Sequence, residues 1–273
     1  MTETADIPPP LPMRAPTARK WGHARTTLAL ILREMSARYG RSPGGYVWAV
    51  FEPLGMILFL ALGFSLLLRT PPLGNNFLLF YATGYLAYGL FQKNARFVMH
   101  ALNFSRNLLR YPAVTWIDAV MGRWILNSLT EFLVAFILFA GILAVLDTAV
   151  SLIFGPILLG FALASLLGGG IGLINCVVQG VFPVWGTIWG IVTRPLFLGS
   201  GVIWLYRDLP TGAQDILWWN PLLHITGLVR SGFYPTYEPH YVSVLYVLGW
   251  GMVTTALGLL LLRRYHLEIL ARR

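Results

Sequence analysis

SLIFGPILLGFALASLLGGGIGLINCVV, residues 151–178, runs for 28 residues without a charged side chain. A helix needs about 20 apolar residues to cross a hydrocarbon core, so this stretch reads as a membrane span. Gly160, Ala164, Gly168 and Gly172 recur every fourth residue, with Gly169 and Gly170 added. Small residues at that spacing let another helix approach closely. Five further stretches meet the span length or come close: Val47–Leu68, Phe77–Met99, Ala119–Leu146, Pro183–Leu205 and Tyr241–Leu262. With 56% hydrophobic and 11% charged residues, little polar surface remains to solvate a globular particle. The sequence predicts an all-α polytopic membrane protein with six transmembrane helices.

Lysine and arginine are retained on the cytoplasmic side of short loops. Before the first span stand Arg14, Arg19, Lys20, Arg25, Arg33, Arg38 and Arg41. Arg106 and Arg110 lie between spans two and three, with Lys93, Arg96 and Arg123 at the helix ends; Arg263, Arg264, Arg272 and Arg273 follow the last span. The opposite loops hold Arg69, Asp147 and the mixed set Arg207, Asp208, Asp215, Arg230 and Glu238. Both termini of this multi-pass chain are therefore expected in the cytoplasm. The formal charge of +9 is explained by this topology and needs no nucleic-acid partner. Cys176 is the single cysteine, which excludes an intrachain disulfide and a cysteine-rich metal site.

Three regions follow: a disordered cytosolic tail over 1–24, an amphipathic interface helix over 25–41 and a transmembrane domain over 42–273. Met1–Lys20 is rich in proline and has no apolar core, so it is not a signal peptide. In Arg25–Tyr39, the residues Leu28, Ile31, Leu32, Met35 and Tyr39 make one apolar stripe, a pattern suited to the membrane interface. Ser42-Pro43-Gly44-Gly45 then breaks the helix. Between spans five and six, Trp218-Trp219 and Leu222-Leu223 flank Asn220-Pro221. Proline disfavours helix at the preceding residue, so two short re-entrant helices are expected. A surface loop with interfacial tryptophans is the other reading.

No phosphate loop, H-E-x-x-H or G-x-S-x-G occurs, and the five histidines stand on separate elements with no metal-ligand spacing. No catalytic residue, metal or cofactor is therefore expected in this chain, and any work driven by ATP would need another subunit to bind the nucleotide. Intramembrane charges are costly unless paired or wetted, which singles out Arg194 and Glu131. Gly186, Gly190 and Arg194 share one face of span five; Arg123, Asn127 and Glu131 share one face of span three. Two readings stay open: a buried Arg194–Glu131 pair, or an Arg194 that lines a wet path for an anionic substrate. Tyr81, Tyr85 and Tyr88 fall on one side of span two. They suit a sugar path, helix packing or an interfacial belt. Glu52, before Pro53, either pairs with a basic residue or gates the entry of span one.

Three stretches resemble the membrane subunits of ABC-2 type exporters, especially capsular polysaccharide export permeases. They are Arg38-Tyr39-Gly40-Arg41-Ser42 leading to Gly45-Tyr46-Val47-Trp48-Ala49-Val50-Phe51-Glu52-Pro53, then Asn107-Leu108-Leu109 with Val114, Ile117-Asp118 and Arg123, then Asn220-Pro221-Leu222-Leu223-His224 with Arg230-Ser231-Gly232-Phe233-Tyr234-Pro235. The resemblance covers about residues 25–265 and departs at Pro43-Gly44, where the family more often has Leu-Gly. It implies a homodimer of permeases working with two ATP-binding cassette subunits, which bind ATP and Mg, and also a periplasmic export adaptor. It implies a lipid-linked polysaccharide as cargo, with spans one, two and five lining its path. The loop Arg106, Asn107, Leu108, Leu109, Arg110, Tyr111 and Pro112 is then the coupling helix on the ATPase. Trp218, Trp219, Asn220, Pro221 and Arg230 are then the outward gate. Other cargoes (O-antigen, teichoic acid, a drug), a glycolipid-modifying enzyme and a passive channel are the competing readings.

Overall fold

The computed structural model describes residues 22–39, 45, 47–109, 111, 114–146 and 151–271. Of the expected tail over 1–24, residues 1–21 lie outside these residues, and 22–24 open the first helix; the Ser42–Gly44 break, and Arg110 and Pro112 of the expected coupling loop also lie outside. Among the described residues every regular element is helical: α1 Gly22–Tyr39, α2 Val47–Ser65, α3 Phe77–Met99, α4 Ala101–Ser105, α5 Trp116–Leu146, α6 Phe154–Val181, α7 Trp185–Gly199, α8 Thr211–Leu217, α9 Pro221–Phe233 and α10 Val244–Ala271. A 3₁₀ turn at Tyr206–Asp208 precedes α8.

Helices α2, α5, α6 and α10 are long and apolar enough to cross a membrane. Helix α3 is long enough at 23 residues, but its second half carries Gln92, Lys93, Asn94 and Arg96. Helix α7 stops at Gly199 after 15 residues, about 22 Å at 1.5 Å per residue, and so falls short of the expected span to Leu205. Gly201 explains the stop. Its φ of 71° lies in the left-handed region, which ends a helix, and an added Cβ would sit 2.7 Å from Leu223.

Helix α6 is the central post, with α3, α9 and α10 packed around it. Its glycines permit this: a Cβ on Gly168 would lie 2.6 Å from the Phe91 carbonyl, and one on Gly172 would lie 2.7 Å from Val98. Polar side chains then lock α3, α5 and α6 together. Asn127 donates to Asn94 Oδ1 at 2.8 Å, Asn94 donates to Ser128 at 2.9 Å, and Ser128 meets Ser165 at 2.7 Å. The Trp124 indole donates to Ser165 at 3.1 Å. A buried polar network that satisfies its members specifies one arrangement of helices. Phe59 and Leu62 of α2, Leu133 and Phe136 of α5, and Val253 and Leu260 of α10 face outward. In a bilayer these are lipid-facing or subunit-facing surfaces.

Helix α1 docks on α5 by a different face from the predicted stripe. Glu34 is buried and accepts from Arg123 Nε at 2.7 Å, while Thr27 donates to Asp118 at 3.3 Å. Leu30 and Ile31 lie over Gly122, and Leu28 and Leu32 point outward. The buried Arg123 charge requires a carboxylate, and that requirement fixes the rotation of α1. The same guanidinium donates to the Phe97 carbonyl at 3.1 Å and lies 4.1 Å from the Phe104 ring. One side chain thus joins α1, α3, α4 and α5.

Candidate substrate groove

One face of α3 carries Tyr85, Tyr88, Gln92, Arg96 and Met99, at steps of three or four residues. Opposite stand Gly186, Thr187, Trp189, Gly190, Thr193, Arg194 and Phe197 of α7. Met56 of α2 and the α6 end, through Gln179 and Pro183, complete a groove of about 710 Å³. Tyr88 ties the walls together by donating to the Thr193 carbonyl at 2.8 Å. Its ring meets Phe197 edge-on at 5.1 Å, and Tyr85 meets the same ring at 6.4 Å. Arg96 and Arg194 are both exposed on this lining. The site therefore combines aromatic faces, amides, hydroxyls and two cations.

The foot of α7 is held by α6. The Trp185 indole donates to Asn175 Oδ1 at 3.0 Å, and Gln179 Nε2 donates to the Pro183 carbonyl at 3.0 Å. Its head is stitched to α9. Asn220 Nδ2 donates to the Gly199 carbonyl at 2.9 Å, and Thr226 to Ser200 at 2.7 Å. Arg230 donates to Gly201 at 2.6 Å, to Val202 at 2.9 Å and to Trp204 at 3.4 Å. Five carbonyls at and beyond the end of a helix thus find donors on one neighbour, which meets their need for partners away from water.

This seam relocates several predicted residues. Arg230 is not at an exposed outer gate: it is 2% exposed, with its guanidinium 4.1 Å from the Phe80 ring. Asn220 and Pro221 do break the chain into two short helices, Asn220 Oδ1 capping α9 through the Leu222 N–H at 3.1 Å. Trp218 packs 5.2 Å from Tyr246 and donates to the Tyr241 carbonyl at 3.3 Å; Trp219 is exposed. His224 is buried. Its Nε2 bonds the Trp218 carbonyl at 2.7 Å and its Nδ1 accepts from the Ser243 N–H at 3.1 Å.

The predicted path residues divide. Tyr85, Tyr88 and Arg194 line the groove. Tyr81 does not: it is buried among Phe64, Phe77 and Phe80, its ring 5.4 Å from that of Phe64. Glu131 is also outside, and its partner is Lys93 at 3.0 Å in place of Arg194. Lys93 further reaches the exposed Glu52 at 3.5 Å, so Glu52 pairs with a basic residue of α3. Arg194 makes no ion pair among the described residues. Lys93 on α3 faces α5 directly, and a buried carboxylate takes the nearest cation.

Of the predicted coupling segment, Arg106 donates to the Leu270 carbonyl of α10 at 3.1 Å. Asn107, Leu108 and Leu109 continue α4 as hydrogen-bonded turns, with Leu109 N donating to Ser105 O at 3.0 Å. The regular helix that leads into this segment is α4, residues 101–105. Phe104 and Tyr111 are exposed beside it.

The sequence profile of the ABC-2 type transporter family matches residues 25–234. The chain belongs to the ABC-2 type transporter family. Among similar proteins, the polysialic acid transport protein KpsM of Escherichia coli is 29% identical, covering 87% of this chain and 92% of that protein. The capsule polysaccharide export inner-membrane protein BexB of Haemophilus influenzae is 28% identical, over 88% of this chain and 91% of its own length. CtrC of Neisseria meningitidis, also a capsule polysaccharide export inner-membrane protein, is 25% identical over 87% and 89%. In this ABC-2 chain the groove also contains Gln92, Arg96, Gln179 and Trp189, which the sequence reading passed over. The usable signal was the spacing of Tyr85, Tyr88, Gln92 and Arg96 along α3, polar residues on one face of an otherwise apolar helix.

Proposed function

We propose that this chain is the membrane subunit of an exporter that moves an anionic, lipid-linked capsular polysaccharide across the inner membrane. Power comes from a separate ATP-binding subunit that holds ATP and Mg. The observation that carries this reading is the groove, where Arg96 and Arg194 share a lining with Tyr85, Tyr88 and Trp189. Guanidinium groups suit carboxylate and phosphate, and aromatic faces pack against sugar rings without binding them in one register. The names of the similar proteins, all transporters of capsule polysaccharide or polysialic acid, favour the same cargo class.

Both termini face the cytoplasm, so the Arg96, His100 and Gln179 end of the groove is its cytoplasmic mouth. Two copies pair across the apolar outer faces of α2 and α7, closing the open side of each groove. The ATPase seats against α4 and the turn that follows, where Phe104 and Tyr111 project. Its movement reaches α1 through Arg123 and Glu34, and α10 through Arg106. On the opposite side, Tyr206, Thr236, Tyr237 and His240 line an outer cleft of about 680 Å³, where cargo leaves toward a periplasmic adaptor.

The test is export of glycan by a host carrying the chain with its ATPase, comparing Arg194→Ala and Arg194→Lys. One hydrogen bond from a charged donor is worth about 1.5–3 kcal/mol, so Arg194→Ala should reduce export about tenfold or more. Arg194→Lys, which keeps the charge without the planar fork, should retain an intermediate rate. Full export by both variants refutes the pathway role, and purification of an export-competent chain without any ATPase refutes the coupled mechanism.

A further inference from the structure

We infer that Gln179 and Trp189 form a hydroxyl-binding subsite at the mouth of the groove, which reads sugar separately from charge. This deepens the proposed function and rests on it. Gln179 is 7% exposed and lines the groove. Its amide is oriented by the bond from Nε2 to the Pro183 carbonyl at 3.0 Å, which leaves Oε1 as a buried acceptor without a partner. Trp189, on the facing helix, brings the complementary group to the same lining: its Nε1 is a buried donor, also without a partner.

Leaving one buried acceptor and one buried donor unsatisfied is costly. Sugar hydroxyls suit both types, since a hydroxyl donates one hydrogen and accepts on its lone pairs. An ionised carboxylate or phosphodiester cannot: it accepts only, and it would be repelled by the amide oxygen. The residues that suit an anion, Arg96 and Arg194, are separate side chains on the same lining. Cation and hydroxyl recognition are therefore divided between different residues.

Gly186 faces the acceptor without a side chain of its own. A Cβ on Gly186 would lie 3.1 Å from Gln179 Oε1, so alanine there covers the oxygen without removing it. That supplies two independent ways to silence one atom.

The full-length chain in nanodiscs is titrated with two probes, a phosphatidyl-linked trisaccharide and the matching phosphatidic acid without sugar. One net hydrogen bond corresponds to about a fivefold change in affinity. Gln179→Leu, Gly186→Ala and Trp189→Phe should each weaken the trisaccharide probe about fivefold and leave phosphatidic acid binding unchanged. Arg194→Ala should weaken both probes. Equal weakening of the two probes by Gln179→Leu, or no weakening of either, overturns the subsite while leaving the transport reading intact. Failure of the unsubstituted chain to bind either probe overturns both.

Discussion

Replacing Arg230 by methionine removes the charge and the donors while keeping most of the side-chain volume over Phe80. In the native chain this guanidinium donates at 2.6 Å to Gly201 and at 2.9 Å to Val202, and it is 2% exposed. Buried carbonyls that lose their donor cost about 1–3 kcal/mol each. The lost cation–π contact adds about 1–2 kcal/mol, against which stands the relief of desolvating a buried charge. The expected net loss is about 3–5 kcal/mol. At about 2–4 °C per kcal/mol for a chain of this size, the apparent Tm should fall by about 10 °C. The measurement is thermal unfolding in one detergent at one heating rate, because unfolding of such proteins is often irreversible and the midpoint then depends on scan rate. Arg230→Lys should fall between, one ammonium reaching fewer carbonyls and presenting no plane to Phe80. Gly84→Ala probes the seam from the other side, since its Cβ would stand 3.0 Å from Arg230 Nη2 and 3.1 Å from Val202 Cα; it too should lower the midpoint. An Arg230→Met midpoint within about 2 °C of the native value refutes the assignment of this residue as the anchor of the α7–α9 seam.

The α2–α3–α5 ion cluster makes a second prediction. Lys93→Met strands the buried Glu131 and should cost about 3–5 kcal/mol in the same assay, whereas Lys93→Met with Glu131→Gln together should recover most of it; no recovery refutes the pairing. Glu52→Gln, removing the exposed partner, should cost under about 1 kcal/mol. At the central post, Gly168→Ala drives a methyl into the Phe91 carbonyl and should cost about 1–3 kcal/mol by overpacking. Gly141→Ala meets no atom within 4 Å and should leave the midpoint unchanged; equal effects of the two would show that α3 and α6 do not meet there.

The helical, membrane-spanning character was legible because it needs only composition and run length. The break at Asn220-Pro221 was legible because proline acts on its neighbours along the chain. Side-chain partners were not, since they depend on how helices rotate against one another. Depth along the chain matched Glu131 with Arg194, yet the azimuth of α3 presents Lys93 instead. The tyrosine stripe failed for a related reason: Tyr81 shares a face with Tyr85 and Tyr88, but Phe64 and Phe77 cover it above the level where the groove opens. Arg230 read as a loop charge because the sequence alone does not reveal that five carbonyls at and beyond the end of α7 await donors.

Helix α7 is fastened at its foot by Asn175 and Gln179 and at its head by α9, with Pro195 inside. Proline removes one backbone hydrogen bond and kinks a helix at that point. A rod clamped at both ends and softened between them bows; it does not slide. Bowing of that kind would alter the width of the groove near Thr193 and Arg194 while leaving its length fixed. On the proposed path, each unit of a polymer would meet this same narrowing in turn.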